Sequence, residues 1–124
     1  MRSSSTTLTP QELEIMKVVW RLKSATVRDV YEALLERRKV AYTTVMTMMK
    51  ILERKKYLKK SSSERAFVYQ AARPEEHVVG GMVKEFVTRV FNGAAKPLLL
   101  HLVEDRHLSP KDLEDIAAIM RKSK

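Results

Sequence analysis

Between Val27 and Lys56 the hydrophobic positions repeat at the helical period twice in close succession, with little chain between the two runs. From Val27 to Arg38, the residues Val30, Tyr31, Leu34 and Leu35 follow Val27 at i+3, i+4, i+7 and i+8, the apolar stripe of an amphipathic helix. From Tyr42 to Lys56 a second stripe is formed by Val45, Met48, Met49 and Leu52, and Thr43, Thr47, Lys50 and Arg54 fall on the opposite side. Lys39, Val40 and Ala41 leave room only for a tight turn. Two helices joined so closely must cross steeply to bury both stripes. That is the arrangement of a helix-turn-helix pair, whose second helix stays free to enter a DNA groove.

Past Lys56 the helical period stops. Tyr57 to Lys60 and Ala66 to Ala71 are expected as short strands around Ser61, Ser62, Ser63, Glu64 and Arg65, with Phe67, Val68 and Tyr69 suited to a pleated surface. The serine-rich segment has turn chemistry but lacks the Asn-Gly or Asp-Gly of a two-residue turn, so a loose basic hairpin, a wing, is predicted. Ahead of the helix pair, Thr9, Pro10 and Glu12 carry the signature of a capped helix start. Leu13, Met16 and Trp20 lie on one line of that helix and Ile15, Val18, Val19 and Leu22 on another, a wide apolar face that suits packing under the other two helices. Ser24 to Thr26 is expected as a short extended segment. Thr26 is the expected cap of the next helix, with Asp29 at its third position.

Beyond the wing, Pro74 opens a helix predicted to run to Phe91, with Glu75 and Glu76 complementing the helix dipole in its first turn. Gly80 and Gly81 interrupt it and mark a bend or a close helix contact. Asn92 and Gly93 are a stop, Pro97 starts a short helix through Val103, and Ser109, Pro110 and Asp112 open a last one with Leu113, Ile116, Ala117 and Met120 on one side. The expected fold is mainly α: a winged helix-turn-helix of three helices plus a β-hairpin wing, followed by a C-terminal helical dimerisation region. Its expected parts are a disordered tail at 1–7, a DNA-binding domain at 8–73 and a dimerisation domain at 74–124. Three helices over about 50 residues are too few to close a core alone. Val79, Met82, Val83, Phe86, Val90, Leu99, Leu102, Leu113, Ile116 and Met120 are therefore the expected dimerisation residues, and a two-fold homodimer matches a palindromic DNA site.

Charge sharpens this division. The net charge is +9, and residues 1–73 hold 16 Lys and Arg against 7 Asp and Glu, whereas residues 74–124 hold 8 of each. The whole excess sits on the winged half, the electrostatic footprint of a polyanion-binding module joined to something neutral. Thr43, Thr47 and Lys50 are expected to reach base edges, with Tyr42 and Thr44 on phosphates near the helix N-terminus and Arg54 toward the backbone. Arg65 and the Lys59-Lys60 pair are placed to track phosphate or the minor groove. A 124-residue chain without cysteine excludes disulfides, thiolate catalysis and cysteine-ligated metals. No nucleophile-elbow or phosphate-loop pattern occurs, so no enzyme is expected. His77, His101 and His107 lack metal-ligand spacing, and Met46, Met48 and Met49 fall in or beside a core stripe, so no metal or cofactor is expected either. The N-terminus has no apolar stretch of the signal-peptide kind and no run reaches membrane-spanning length; a cytoplasmic protein with no membrane insertion is expected.

The chain resembles the penicillinase repressors of the BlaI/MecI/CopY type. The resemblance covers about residues 8 to 122 and rests on Leu8-Thr9-Pro10-Gln11-Glu12-Leu13-Glu14-Ile15-Met16 with Trp20, on Thr26-Val27-Arg28-Asp29-Val30, and on Ala41-Tyr42-Thr43-Thr44-Val45-Met46-Thr47 followed by Leu52. Phe67, Val68 and Tyr69 match the second wing strand of that family. What it implies is a dimeric repressor on inverted-repeat operators near genes for β-lactamase or other stress responses. It further implies release by cleavage in the dimerisation domain, under a membrane-bound zinc metalloprotease sensor. The matching stretch is Leu100-His101-Leu102-Val103, with His101 and Leu102 at the implied cut; staphylococcal members carry asparagine where His101 stands. Two other readings of the same residues are a winged-helix adaptor in protein interaction and a nonspecific architectural DNA binder.

Overall fold

The computed structural model describes residues 7–62 and 67–123. The elements are α1 (Pro10–Leu22), α2 (Val27–Leu35), α3 (Tyr42–Arg54), β1 (Leu58–Ser62), β2 (Phe67–Ala71), α4 (Glu75–Phe91), α5 (Ala95–Glu104) and α6 (Pro110–Lys122). They fall into two compact units, the chain dividing between Gly80 and Gly81.

In the first unit local chemistry starts each helix. The Thr9 hydroxyl accepts from the Glu12 amide at 3.1 Å while the Glu12 carboxylate accepts from the Thr9 amide at 2.9 Å. Thr26 and Asp29 repeat this capping box on α2, at 3.0 and 2.9 Å. Each box satisfies two backbone donors that a helix start otherwise leaves open. The three helices bury Ile15, Met16, Val19, Val30, Leu34, Val45, Met49 and Leu52 against one another. Each such side chain contributes about 1.5–3 kcal/mol relative to exposure. These are the stripes anticipated from the periodicity, except that Leu35 at 42% and Leu22 at 39% stay exposed.

α2 stops at Leu35, three residues short of the expected Arg38, and the connection to α3 spans residues 36–41 rather than three residues. The amides of Arg37 and Arg38 both close on the Leu34 carbonyl, and the Arg38 guanidinium is drawn to Glu14 of α1 at 2.6 Å. α3 ends at Arg54 with paired bonds, Lys56 amide to Glu53 carbonyl and Tyr57 amide to Leu52 carbonyl, which force Lys56 to φ 75°. Lys55, just beyond that end, donates to both oxygens of the buried Glu12 at 3.0 and 3.1 Å and to the Thr7 carbonyl at 3.2 Å. This ion pair ties the start of α1 to the end of α3.

The wing is an antiparallel pair running in register from Leu58 opposite Ala71 to Ser62 opposite Phe67. Its first strand includes Ser61 and Ser62, which were expected in the turn, and starts after Tyr57 rather than at it. Ladder pairing with Val68 and Phe67 outweighs the turn preference of serine here. The expected tip, Ser63 to Arg65, and Ala66 lie outside the described residues. Ala25 forms a single bridge to Tyr69, exchanging amide–carbonyl bonds of 2.9 and 2.8 Å, so the extended segment between α1 and α2 acts as a third rung. Trp20 donates its indole N–H to the Arg73 carbonyl at 3.0 Å, fastening the chain as it leaves the wing.

α4 runs unbroken through Gly80 and Gly81, and a Cβ built on either would meet nothing within 4 Å. Among the described residues no close helix contact is made there. Asn92 and Gly93, at φ 56° and 88°, end α4 as anticipated. α5 begins at Ala95, two residues before the expected Pro97, because Ala94 leaves that turn already extended and serves as its N-cap. Pro97 then falls among the first helical positions, where a missing N–H costs no hydrogen bond. α6 opens on a third capping box, Ser109 with Asp112. Among the described residues of this second unit none is buried.

Candidate nucleic-acid interface

The outward face of α3 follows from the burial of its inner one. With Val45, Met49 and Leu52 in the core, Thr43, Thr47, Lys50 and Arg54 necessarily emerge along one line, and all four are exposed. Tyr42 and Thr44 are exposed at its first turn. The N-cap of α3 is Ala41, which offers no side-chain oxygen, and the first turn carries no acidic residue. Its opening amides therefore point outward with the positive end of the helix dipole behind them, an arrangement that favours an anion.

Tyr42 is held on both sides. Its ring meets that of Tyr31 edge-on at 5.3 Å, and the Arg28 guanidinium lies 5.8 Å from its centroid. Arg28 also approaches Glu32 at 3.4 Å in an exposed pair of small energetic weight. On the wing, the Lys60 ammonium sits 4.4 Å from the Phe67 ring centroid and 3.8 Å from a Glu53 oxygen. Between α3, the start of α2 and the wing runs a groove of about 590 Å³. Arg28, Lys50 and Lys60 line it together with Tyr42, Met46, Phe67 and Tyr69, and no carboxylate lines it among the described residues. Burial pushes the Tyr69 phenol up from its ordinary range, reinforced by the charge of Glu53, so the phenol stays neutral at physiological pH and adds no negative charge to this wall. Elsewhere the hydrogen bond and charge of Glu14 push the Arg38 guanidinium up, holding that cation charged but committed to α1.

This geometry has a counterpart among known sequences, where the profile of the family described as Penicillinase repressor matches residues 8–122. The chain belongs to the penicillinase repressor family. Within the family it is similar to the Mycobacterium tuberculosis transcriptional regulator BlaI, 34% identical over 75% of this chain and 69% of that protein. It is also similar to the Staphylococcus aureus penicillinase repressor, 22% identical over 97% of this chain and 95% of that one. A solution structure of monomeric Bacillus licheniformis BlaI in complex with the blaP half-operator matches at a TM-score of 0.51 and 30% identity, covering 56% of this chain and 85% of that one. The winged-helix fold expected from the sequence is the fold observed, and the penicillinase repressor family is one of transcriptional repressors, not of enzymes.

In this penicillinase repressor homologue, then, the structure brings Tyr42, Thr43, Thr44, Thr47, Lys50 and Arg54 to one exposed helix surface, while Arg65 lies outside the described residues. Arg28 and Phe67 join that surface without having been singled out for it. Of the residues expected at a dimer face, Val79, Val83, Phe86, Val90, Leu99, Leu113 and Met120 are exposed and Met82, Leu102 and Ile116 are half-buried. Phe86 packs edge-on to Phe91 at 5.9 Å, and Phe91 lies 6.0 Å from the exposed His101 ring. No helix among the described residues is long and apolar enough to cross a membrane.

Proposed function

We propose that this protein is a DNA-binding transcriptional repressor that occupies a palindromic operator as a homodimer. The single observation that carries this reading is the exposed Thr43-Thr47-Lys50-Arg54 line on α3, beside an uncapped helix start and a basic wing. Each α3 enters a major groove, the two grooves lying about one helical turn, roughly 34 Å, apart. Thr43, Thr47 and Lys50 read bases, Tyr42, Thr44 and Arg54 hold phosphate, and Arg65 extends the contact from the wing. The B. licheniformis relative solved on a half-operator supports this assignment by likeness.

The dimer forms through Val79, Met82, Val83, Phe86 and Val90 of α4 with Leu99, Leu102, Leu113, Ile116 and Met120 of α5 and α6. The exposure of this much apolar surface on a single chain supports it. Repression is relieved by cleavage at His101-Leu102 under a membrane metalloprotease sensor, within the cytoplasm. His101 and Leu102 lie inside α5, so a cut there needs local unwinding of that helix and severs the proposed dimer face at Leu102.

Mobility shift of the purified chain on its own upstream region, at near-physiological salt and with excess random duplex, tests the reading. A discrete competitor-resistant complex is expected. A smear lost to competitor would make it an architectural binder, and no shift would make the winged helix an adaptor.

A further inference from the structure

We propose that Arg28 and Lys60 hold phosphates of one DNA strand in the groove between α3 and the wing, and that Tyr42 and Phe67 are the positioning residues on which these two cations are seated. The proposal rests on the DNA-binding reading above; it adds Arg28 of α2 as a phosphate ligand, narrows the phosphate-or-minor-groove expectation for Lys60 to phosphate, and gives two aromatic rings a role.

Phe67 is the observation that asks for an explanation. Its ring is 56% exposed beside a polar hairpin, so it adds little to the core. What it does touch is Lys60, whose ammonium lies 4.4 Å from its centroid. The same motif recurs on the opposite border of the groove, with Arg28 at 5.8 Å over Tyr42, and Tyr42 is itself braced by Tyr31. A long cationic side chain loses rotamer freedom when it clamps a phosphate. A ring that attracts it beforehand removes part of that loss. The charge of the groove selects the occupant: Arg28, Lys50 and Lys60 come from three different elements, and no carboxylate lines the groove among the described residues. Among the described residues Glu53 lies 3.8 Å from Lys60 and Glu32 lies 3.4 Å from Arg28, and an arriving phosphate displaces both carboxylates from pairs too long for a strong bond. The apolar Met46 and Phe67 suit the sugar face of a strand, whose phosphates then fall to the flanking cations.

The full chain should be titrated with duplex from its own upstream region and with random duplex across a salt series. Lys60→Ala and Arg28→Ala are expected to weaken both duplexes by the same factor and to make log K against log salt shallower by about 1 each. Phe67→Ala is expected to weaken both about two- to five-fold, the worth of an exposed cation–ring contact. Phe67→Tyr should restore wild-type affinity, and the double variant Phe67→Ala with Lys60→Ala should bind no more weakly than Lys60→Ala alone. Unchanged salt slopes in Lys60→Ala and Arg28→Ala would overturn the proposal, as would additive losses in the double variant or a Phe67→Ala loss confined to the upstream duplex. If the wild type binds neither duplex, the DNA-binding reading fails along with it. Wild-type binding with unchanged slopes sinks this proposal alone.

Discussion

The two units of this chain use hydrophobic residues in opposite ways. Up to Gly80 the apolar stripes of α1, α2 and α3 close on one another, and Met16, Val19, Val30, Met49 and Leu52 lose all contact with solvent. From Gly81 onward the stripes are as regular, yet Val83, Phe86, Val90, Leu100, Ile119 and Met120 remain exposed, Met120 at 69%. Periodicity alone therefore distinguishes a helix that needs a partner from a coil, but not a helix that has found its partner within the chain from one that has not. What separates the units is chain economy. Three helices, a hairpin and the Ala25 bridge surround a core in the first, whereas the second, among the described residues, has α5, α6 and the larger part of α4 and no sheet to lay them on.

The sharpest way to break the contrast is to damage the closed core. Leu52→Ala removes a fully buried side chain from α3 and should cost about 2–5 kcal/mol, measured by urea unfolding, with DNA affinity lost as the helix loosens. Phe86→Glu asks the converse question of the open unit: sedimentation should report a monomer, while unfolding of the first unit shifts by no more than about 0.5 kcal/mol, as for a surface change. A dimer that survives the change would remove Phe86 from the interface. Glu12→Ala is next in size. It strips Lys55 of its carboxylate and α1 of half its capping box, and a loss of about 1–3 kcal/mol is expected from the unpaired group left behind. Smallest is Lys56→Gly, which relieves a left-handed conformation at φ 75° and should raise stability by up to about 1 kcal/mol, seen as a later urea midpoint.

The parts of this molecule that were legible in the sequence are those decided within a few residues. Thr9 with Glu12, Thr26 with Asp29 and Ser109 with Asp112 start helices through bonds that span three residues, so their spacing announces them. The left-handed stop at Asn92 and Gly93 is of the same kind. Distances in sequence explain what was missed. α2 ends early partly because Arg38 reaches Glu14, 24 positions back, and no local pattern encodes that reach. The hairpin extends into Ser61 and Ser62 because Val68 and Phe67 pair with them across the tip. At the interface, the α3 line was legible because it is the complement of a buried stripe. Arg28 was not, since its place in the groove depends on Tyr42 arriving from another helix. A basic residue two positions into a helix, four before Glu32, carries only the signal of a surface pair.

The bridge between Ala25 and Tyr69 has a further consequence for how this chain can change in length. One residue inserted or deleted between Lys23 and Ala25 would either turn the pairing groups of that segment away from β2 or drag α2, whose Thr26 cap travels with it, along its packing against α1. The link between the first two helices is thus a fixed-length spacer, and with Ala25 at 1% exposure it has little room for a larger side chain either.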